Sequence, residues 1–436
     1  MLTALSKLSG VSRKSLFEAI FTIGGRMLSV FIFIASTKFL TTFLSEADYG
    51  KLALYNITAI LPSTFFFGPI AQGVLRFFPI AKEQNNLNVF RSHLQYLYSR
   101  GGLFTLLIGI SFALICWTTG EEHWALACLI ITALNIVNAF NTICYSLQNI
   151  ARKRALALGL ETGDRLLQQS IAIMMLLFVF HNPLAIVLGY LIASVIFLFI
   201  NWHYYLNAFP KVENTMSHPV KINYSKSILH YSWPFIVIGV FYWIQSASER
   251  WALGFFQSTE TIGQFAVLSQ LGFQSMGILF SSINYFLYPI LFNRAGSLKT
   301  SSQFKSANKI NDYYLFFIVI ISFFTFMFFI CFSKSIICLL TDEKYSSVAP
   351  LLPMIAIAGG SFHFGQYFAN RFMLTMQSRL LILPKILTAI IGLGLNIVGS
   401  FYFGLTGLVY ALIVTYSIYI ILLILYWKTK GNHTPG

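Results

Sequence analysis

The sequence predicts an all-α integral membrane protein with about 12 transmembrane helices in two pseudo-symmetric six-helix lobes. Composition is the first observation: 57% of the 436 residues are hydrophobic and only 10% are charged, whereas soluble domains carry about 25% charged residues. The second is that the apolar runs reach about 20 residues or more, too long for the roughly 10-residue strands of a membrane β-barrel. The third is a similarity between the two halves of the chain.

The first six predicted spans fill the N-lobe, residues 1–206. Each is long enough to cross the roughly 30 Å hydrocarbon core of a bilayer. Several exceed the roughly 20 residues that a crossing needs, so we expect tilt or helical extension beyond the membrane. The spans lie at residues 16–44, 50–78, 93–118, 122–149, 157–180 and 183–206.

The other six spans fill the C-lobe, residues 228–436, after the longest polar segment of the chain. That segment, residues 207–227, reads NAFPKVENTMSHPVKINYSKS and is predicted to be a cytoplasmic linker. The connections on the predicted outer side are short, so they leave no room for an outer catalytic domain. The spans of this lobe lie at residues 228–256, 262–292, 308–333, 347–375, 380–403 and 405–427.

The distribution of basic residues predicts the orientation in the membrane. The chain carries 29 Lys and Arg against 14 Asp and Glu, a net charge of +15. When the N-terminus is placed in the cytoplasm, most of these residues fall in or beside cytoplasmic loops, as the positive-inside rule requires. Both termini are therefore predicted to be cytoplasmic, and the basic composition requires no nucleic-acid partner. The exceptions are Lys38, Lys51, Lys334 and Lys344 on the outer side and Arg26 and Arg250 within spans.

The similarity between the halves appears where the second span of each half begins. Residues 45–54, SEADYGKLAL, align with residues 258–267, STETIGQFAV, at an offset of 213, which pairs Gly50 with Gly263. Because six spans separate equivalent points, the two repeats have the same orientation and are related by an axis along the membrane normal. Chance similarity between sequences of biased composition is the alternative.

Three stretches of the chain resemble a known family. They are FIASTKFLTTFLSEADYGKLALYN and FFQSTETIGQFAVLSQ at the start of the halves, and LLILPKILTAIIGLGLNIVGSFYFGLTGLVYAL near the C-terminus. In these stretches and in its layout of six plus six spans, the chain resembles the polysaccharide flippases of the MOP superfamily. The likeness is greatest to the Wzx type, which translocates lipid-linked O-antigen oligosaccharides.

This resemblance implies two lobes around a central cavity that opens alternately to each side of the membrane. It implies that a polyprenyl-diphosphate-linked oligosaccharide passes from the cytoplasmic to the outer leaflet of a bacterial inner membrane, in O-antigen and lipopolysaccharide biosynthesis. The implied partners are this lipid-linked substrate, membrane lipids and polysaccharide polymerase machinery.

Arg26 is the first candidate for holding the diphosphate of such a cargo, because a planar guanidinium suits phosphate oxygens. It lies about ten residues, or roughly 15 Å, into the first span. A charge at that depth costs at least about 2.5 kcal/mol, so it is expected to face water or a partner. Thr22, Ser29, Ser36 and Thr37 share its side of the helix and predict a hydrophilic lumen wall. The alternative is a structural ion pair with a carboxylate from another helix.

Two further basic candidates lie nearer the predicted outer surface. Arg250 aligns with Thr37 in the repeat, which favours a place on the substrate path; the alternative is that it extends to the outer interface. Glu249 lies about 100° around the helix from Arg250, which predicts that these neighbours do not pair. Lys38 lies about 120° around the helix from the polar stripe. It either contacts the substrate or is an interfacial lysine whose side chain extends to water.

The remaining substrate-binding candidates are Arg76, Arg371, His363 and Asn138. The two arginines lie near the predicted cytoplasmic face, where they either follow the positive-inside rule or capture the phosphate of the incoming cargo. His363 and Asn138 are polar groups deep in their spans, where they either contact sugar or form interhelical hydrogen bonds.

Motifs for enzymatic chemistry are absent from the sequence, which has no Walker A, HExxH or GxSxG motif and no paired catalytic carboxylates. The chain is therefore predicted to be a transporter and not an enzyme, without cofactor or metal. The alternative function is a MATE-like cation-coupled exporter of drugs or small molecules, which needs a carboxylate buried in the membrane. Glu161 and Asp164 are predicted near the cytoplasmic end of their span, which disfavours that alternative.

Overall fold

A computed structural model of the chain describes residues 13–150, 153–208, 223–281, 283–284, 291, 301–375 and 377–430. Within these ranges all regular secondary structure is helical and no strand occurs, which confirms the all-α prediction. Most of the predicted linker, residues 207–227, and part of the predicted span 262–292 lie outside the described residues.

The described helices of the first half follow the predicted spans in order. A π-helical segment, Ser63–Phe67, interrupts the second span and was not predicted. The α-helices are α1 (Arg13–Phe43), α2 (Glu46–Ala59), α3 (Gly68–Glu83), α4 (Leu87–Thr118), α5 (Glu122–Ile150), α6 (Arg154–Phe178) and α7 (Pro183–Ala208).

The described helices of the second half repeat this plan. A π-helical segment, Ser269–Gln274, again lies in the second span, and 3₁₀ helices at Glu343–Leu351 and Ser378–Leu381 precede the last two α-helices. The α-helices are α8 (Tyr224–Phe256), α9 (Thr259–Leu268), α10 (Ser301–Leu340), α11 (Leu352–Leu374) and α12 (Ile382–Lys430).

Eight helical runs among the described residues are long and apolar enough to cross a membrane. The last of them has 52 residues and contains the final two predicted spans. A shorter apolar helix covers Met27–Phe43. The eight runs are Glu46–Glu83, Leu87–Thr118, Glu122–Ile150, Pro183–Leu206, Tyr224–Phe256, Asn308–Leu340, Glu343–Leu374 and Arg379–Lys430.

The chain packs as two compact units. The first contains the described residues of Met1–Leu40 and Thr58–Ile236, and the second contains those of Thr41–Ile57 and Val237–Gly436. The units differ from the predicted lobes at two segments, since residues 41–57 pack in the second unit and residues 228–236 pack in the first. The lobe boundaries at residues 206 and 228 remain sequence-based predictions.

In the first unit an apolar core forms where α3, α4, α5 and the start of α8 meet. Tyr224, at the first turn of α8, is buried, packs edge-on against Phe90 with ring centroids 5.3 Å apart, and donates a hydrogen bond to Gln84 Oε1 at 3.1 Å. These contacts attach the start of α8 to the first unit. Fully buried members of the core include Ile70, Val74, Phe90, Leu147 and Ile228.

The repeat offset of 213 is confirmed by the starts of α2 and α9. Ser45 Oγ accepts a hydrogen bond from the backbone N–H of Asp48 at 3.0 Å, and Ser258 Oγ accepts one from Thr261 at 3.4 Å. Both are serine N-caps, which satisfy backbone donors that a helix leaves unpaired at its first turn. Each cap and each bonded residue is separated from its counterpart by 213 positions, so the same local sequence starts the same helix twice.

The same two helices pack against each other through equivalent glycines of the second unit. A Cβ atom on Gly50 would lie 2.0 Å from the Thr259 carbonyl oxygen, and one on Gly263 would lie 2.2 Å from that of Glu46. Glu46 and Thr259 are themselves 213 residues apart, so the contact is reciprocal, as at a two-fold interface. Only glycine lets the two backbones approach this closely.

The last long helix contains a break that separates the final two spans. Gly404 has φ 58° and ψ −138°, a conformation that lies outside the helical region and is accessible to glycine almost alone. The predicted spans end at residue 403 and restart at residue 405, so the structure confirms this boundary. After the break the chain packs back against the preceding helical segment. Gly407 approaches Gly399 so closely that a Cβ on Gly407 would lie 2.2 Å from the Gly399 carbonyl oxygen.

We expect Gly404→Ala to destabilise the protein by about 1–3 kcal/mol, because a side chain makes the positive-φ conformation of this break costly. Gly394→Ala is the matched control, since Gly394 lies in the same helix and a Cβ there meets no atom within 4 Å. The measurement is thermal unfolding of the two purified variants in detergent. Equal melting temperatures for both variants would show that the break tolerates an ordinary residue.

Candidate functional site

The predicted polar stripe of α1 is described only in part. Arg26 lies in α1, but its side chain and that of Thr22 lie outside the described residues. Ser36 and Thr37 are buried, and the Thr37 hydroxyl donates to the Phe33 carbonyl of its own helix at 2.8 Å. This end of the stripe is therefore buried, and the hydrophilic wall stays a prediction.

Arg250 is held within the second unit by α8 and α9. Its side chain and that of Glu249 are 12% and 11% exposed, and Arg250 Nη1 lies 3.8 Å from Glu249 Oε2. The prediction that these neighbours do not pair is wrong, because two long side chains reach around the 100° between their positions on the helix. Arg250 Nη1 also donates to the Ser246 carbonyl at 3.3 Å, and the guanidinium lies 5.7 Å from the Phe265 ring centroid. The cation thus turns back along α8, away from the end of the helix.

Arg371 joins a polar cluster between α10 and α11. It donates a hydrogen bond to the Tyr367 hydroxyl, which donates in turn to Asp312 Oδ1 at 2.8 Å. Arg371 Nη2 lies 3.9 Å from the same carboxylate oxygen, and the guanidinium lies 4.8 Å from the Tyr367 ring centroid. The Asp312 side chain is 51% exposed, so solvent weakens this pair. Arg371 Nε is buried without a hydrogen-bond partner among the described residues.

His363 lies near the middle of α11 in an aromatic environment. Its ring centroid lies 4.5 Å from that of Phe280 and 5.2 Å from that of Phe362. The side chain is buried, and within the described part of the chain its Nδ1 atom has no hydrogen-bond partner. The imidazole is therefore held between two aromatic rings and retains one nitrogen for a further polar group.

Lys38 and Arg76 differ in their surroundings within the first unit. The Lys38 side chain is half-buried in α1, whereas the Arg76 side chain is exposed on α3. Arg76 forms no ion pair with any residue that the structure describes. It is therefore the most accessible cation among the predicted site residues with described side chains.

Asn138 belongs to a polar network that connects α5, α6 and α7. Its Oδ1 accepts a hydrogen bond from Ser194 Oγ at 2.9 Å, and the same Ser194 Oγ accepts one from Gln168 Nε2 at 3.0 Å. Asn141 Nδ2 donates to the Ser194 carbonyl at 3.0 Å and Asn141 Oδ1 accepts from Asn201 Nδ2 at 3.1 Å. This confirms the interhelical hydrogen bonds that were the alternative to a sugar contact.

Asp164 is the member of this network that the sequence did not identify. It is buried at 5% exposure and lies ten residues after Arg154, or about 15 Å along α6. Its Oδ2 accepts a hydrogen bond from the Tyr145 hydroxyl at 2.8 Å and its Oδ1 accepts one from Gln168 at 3.0 Å. The expectation that Asp164 lies near the cytoplasmic end of its span stays a prediction, and its burial is what the structure adds. The spacing of four between Asp164 and Gln168 on one helix face was the available signal.

The predicted site residues do not form one cluster within either unit. Arg250 packs with α8 and α9, whereas His363 and Arg371 lie two turns apart on α11 with different neighbours. In the first unit Asn138 is committed to Ser194, and Arg76 is exposed. Buried polar groups are thus distributed through both units.

No protein-family model and no characterised protein sequence matches this chain. Solved structures do match. The lipid II flippase MurJ, in an inward closed conformation, has a TM-score of 0.70 and 15% identity, and the match covers 95% of this chain and 88% of that chain. A MATE transporter in a bent conformation has a TM-score of 0.59 and 11% identity, covering 97% and 96%. The Vibrio cholerae MATE transporter VcmN has a TM-score of 0.58 and 15% identity, covering 96% and 99%.

These matches show that the chain has the fold of the MOP-superfamily transporters over nearly its whole length. The resemblance found in the sequence is thereby confirmed at the level of the fold. Since the neighbours are transporters and a flippase, the expectation of a transport protein agrees with them, while the Wzx type remains a prediction.

Proposed function

We propose that this membrane transporter of the MOP fold is a flippase for polyprenyl-diphosphate-linked oligosaccharides. It carries them from the cytoplasmic to the outer leaflet of a bacterial inner membrane by alternating access, with both termini in the cytoplasm. The observation that supports this most is the likeness, over 95% of the chain, to a structure named as a lipid II flippase. The residues that resemble Wzx-type flippases favour O-antigen or related polysaccharide units as the cargo.

The diphosphate of such a cargo requires guanidinium groups that are held in place and not fully neutralised. Arg371 meets this requirement, because Tyr367 orients it, its carboxylate partner Asp312 is half exposed, and its Nε is unpaired among the described residues. We assign Arg26 to the deeper part of the path, Arg250 to its outer part and Arg76 to capture on the cytoplasmic side. Lys38 is assigned to the outer end of α1.

The glycan requires hydrogen-bonding groups beside aromatic faces. His363 supplies both, because its ring packs against that of Phe280 and its Nδ1 is unpaired within the described part of the chain. Asn138 is a weaker candidate, since Ser194 already donates to it. We therefore place the glycan beside α11 in the second unit and give Asn138 a structural role.

A MATE-like cation-coupled exporter is the second candidate function. Two observations favour it: the likeness to MATE transporters and the buried carboxylate of Asp164. Against it, the described arginines of the second unit suit an anionic cargo, whereas exported cationic drugs require acidic walls. Translocation of a lipid-linked oligosaccharide, compared with export of a cationic dye, separates the two functions.

The test is translocation of a polyprenyl-diphosphate oligosaccharide in proteoliposomes, followed by the accessibility of its glycan to an added lectin. We expect the full-length protein to translocate the lipid, and Arg371→Ala to reduce the rate about tenfold, a loss of about 1.4 kcal/mol in the contact with the diphosphate. Arg379→Ala is the control, because it removes an arginine that is exposed. Arg379 lies in the 3₁₀ helix between α11 and α12.

Absence of translocation by the unmodified protein would contradict the proposed function. Export of a cationic dye driven by a proton or sodium gradient in the same vesicles would support the alternative. If Arg371→Ala and Arg379→Ala transport at the same rate as the unmodified protein, Arg371 has no part in binding the cargo. Arg26→Ala, measured in parallel, tests the deeper part of the path.

A further inference from the structure

Cys116 and Cys128 form a pair of thiols that the proposed path of the cargo does not use. Both are free cysteines with partly exposed side chains, Cys116 in α4 and Cys128 in α5. The two thiols are hydrogen-bonded to each other, which places one sulfur directly against the other. From such a contact a disulfide can form without a large movement of either backbone.

The packing of α4 against α5 explains why the two thiols meet. A Cβ on Gly109 of α4 would lie 1.9 Å from Thr132 Oγ1 of α5, so the helices approach closely at this level. Cys116 lies seven residues, or about 10 Å, after Gly109, and Cys128 lies four residues, or about 6 Å, before Thr132. The two helices are joined by a short turn and run in opposite directions. Both cysteines therefore lie on the same side of the contact, about 4–5 Å apart along the helix axes.

The direction of the side chains closes this remaining gap. Every Cα–Cβ bond of an α-helix is tilted toward the N-terminus of its own helix. Cys116 lies farther from the contact between Gly109 and Thr132 and tilts back toward it. Cys128 lies nearer to that contact and tilts away from it, because its helix runs the other way. The two sulfurs are thus directed toward the same level of the α4–α5 hairpin.

The positions of the other three cysteines contrast with this pair. Cys144 is buried in α5, 16 residues after Cys128 and therefore about 24 Å along the same helix. Cys331 and Cys338 lie seven residues apart on α10, about 10 Å along its axis. Both separations exceed the Cα distance of about 7 Å that a disulfide can span. Cys331 is exposed and is therefore a suitable reference for a reactive thiol.

The pair lies near the turn that joins the two helices. Cys116 is two residues before the end of α4 at Thr118, and Cys128 is six residues after the start of α5 at Glu122. Both cysteines therefore lie within about 9 Å of a helix end. The turn, residues 119–121, is exposed, and the positive-inside rule predicts that it faces the outer side. Outside the bacterial cytoplasm disulfides form and persist.

We propose that Cys116 and Cys128 are an intramolecular disulfide site that closes the outer end of the α4–α5 hairpin. The oxidant is a disulfide of a protein or small molecule in the outer compartment. One cysteine thiolate attacks this disulfide, forms a mixed disulfide and releases the first thiol of the oxidant. The second cysteine thiolate attacks the sulfur of the first cysteine, which forms the new bond and releases the second thiol. Two electrons pass to the oxidant, and the two protons of the cysteines are balanced by those of the released thiols.

The new bond joins two helices that follow each other in the chain. It restricts the unfolded state of the segment between them, so we expect the oxidised protein to be the more stable form. Formation of the disulfide in cells rests on the proposed orientation in the membrane, whereas the pairing of the two thiols does not.

The first experiment treats the reduced, purified full-length protein with dithiodipyridine and analyses its peptides by mass spectrometry. We expect the peptides of Cys116 and Cys128 to be linked to each other and to carry no pyridyl group, because the second thiol displaces it. The exposed Cys331 is expected to retain a pyridyl group. Cys116→Ser and Cys128→Ser should each leave a pyridyl group on the remaining cysteine of the pair.

Retention of pyridyl groups on both Cys116 and Cys128 of the unmodified protein would overturn the proposal. A dimer that is linked through either of these residues would also overturn it, since the partner thiol would then belong to another molecule. Neither outcome depends on the folding of a variant.

The second experiment alkylates intact bacteria with a membrane-permeant maleimide before lysis, which preserves the redox state of each thiol. We expect the disulfide between Cys116 and Cys128 in the protein from these cells. We expect its melting temperature in detergent to fall on reduction, and to stay unchanged when Cys116→Ser is reduced. Equal melting temperatures of the oxidised and reduced unmodified protein would show that the bond does not restrain the hairpin.

The two experiments separate this site from the proposed function. If the pair closes with dithiodipyridine but both thiols are alkylated in cells, formation in cells and the predicted outer orientation are both overturned. If the lipid-linked oligosaccharide is not translocated but the disulfide is found in cells, the proposed function fails and the disulfide site stands.

Discussion

Replacement of Arg250 with alanine is expected to destabilise the second unit by about 3 kcal/mol, because it leaves the buried Glu249 carboxylate without its cation. The side chains of both residues are almost fully removed from solvent, and the lost guanidinium also contacts the Ser246 carbonyl and the Phe265 ring. The measurement is thermal or chemical unfolding of the purified variant in detergent, with the unmodified protein alongside.

The double variant Arg250→Ala, Glu249→Gln identifies the cause of this loss. If the unpaired charge is responsible, removal of the second charge restores most of the stability. Lys51→Ala is the comparison at a surface pair, because the side chains of Lys51 and Asp48 are 46% and 29% exposed and such pairs contribute about 0–1 kcal/mol. A double variant that is as unstable as Arg250→Ala alone would locate the loss in the packing of the arginine instead.

The double variant also separates stability from transport. Once the fold is restored, any remaining loss of translocation reports a direct role of Arg250 with the cargo. Translocation at the unmodified rate would assign Arg250 a purely structural part.

Gly50→Ala is expected to cost about 3 kcal/mol, at the upper end of what overpacking costs. The added methyl group would lie 2.0 Å from the Thr259 carbonyl oxygen and 3.0 Å from the Gly263 backbone nitrogen. These are backbone atoms, so no side chain can rotate away and α2 and α9 must separate. Separation would also lengthen the hydrogen bond from Gln264 Nε2 to Glu46 Oε2, which measures 2.8 Å.

The pseudo-symmetry supplies an internal check on this prediction. Gly263→Ala should cost a similar amount, because its methyl group would lie 2.2 Å from the Glu46 carbonyl oxygen. Gly159→Ala is the matched control in another helix, since a Cβ there meets nothing within 4 Å. Unfolding in detergent measures all three variants. A neutral Gly50→Ala together with a destabilising Gly263→Ala would show that the repeat symmetry does not extend to the energetics.

The fold follows from the sequence where a local signal is strong. Long apolar runs predict the helices, and the boundary at Gly404 falls between two runs that the structure separates by a positive-φ residue. The offset of 213 predicts that Gly50 and Gly263 are equivalent, and the structure adds that they touch. The π-helical segments Ser63–Phe67 and Ser269–Gln274 were missed, because an extra residue in one helical turn leaves no clear trace in hydropathy.

The candidate site was harder to predict, because side-chain partners depend on neighbouring helices. Helix geometry alone predicted that Glu249 and Arg250 stay apart, yet their flexible side chains meet at 3.8 Å. The sequence placed Asp164 near the cytoplasmic end of its span, and only the structure shows that it is buried and bonded to Tyr145 on α5. For Asn138 the sequence left both a sugar contact and an interhelical hydrogen bond open, and the structure shows that Ser194 on α7 donates to it.

The sequence by itself determined the class of this protein, its helical segments and the duplication of its halves. Those properties depend on transfer of apolar side chains from water and on backbone hydrogen bonding within each helix, which are local along the chain. Only the tertiary structure decided which polar groups are paired. Pairing between helices requires side chains distant in sequence to meet within about 3 Å, and no local pattern specifies that distance. For that reason the repeat could be found from ten residues, while the hydrogen-bond network around Asp164 required three helices.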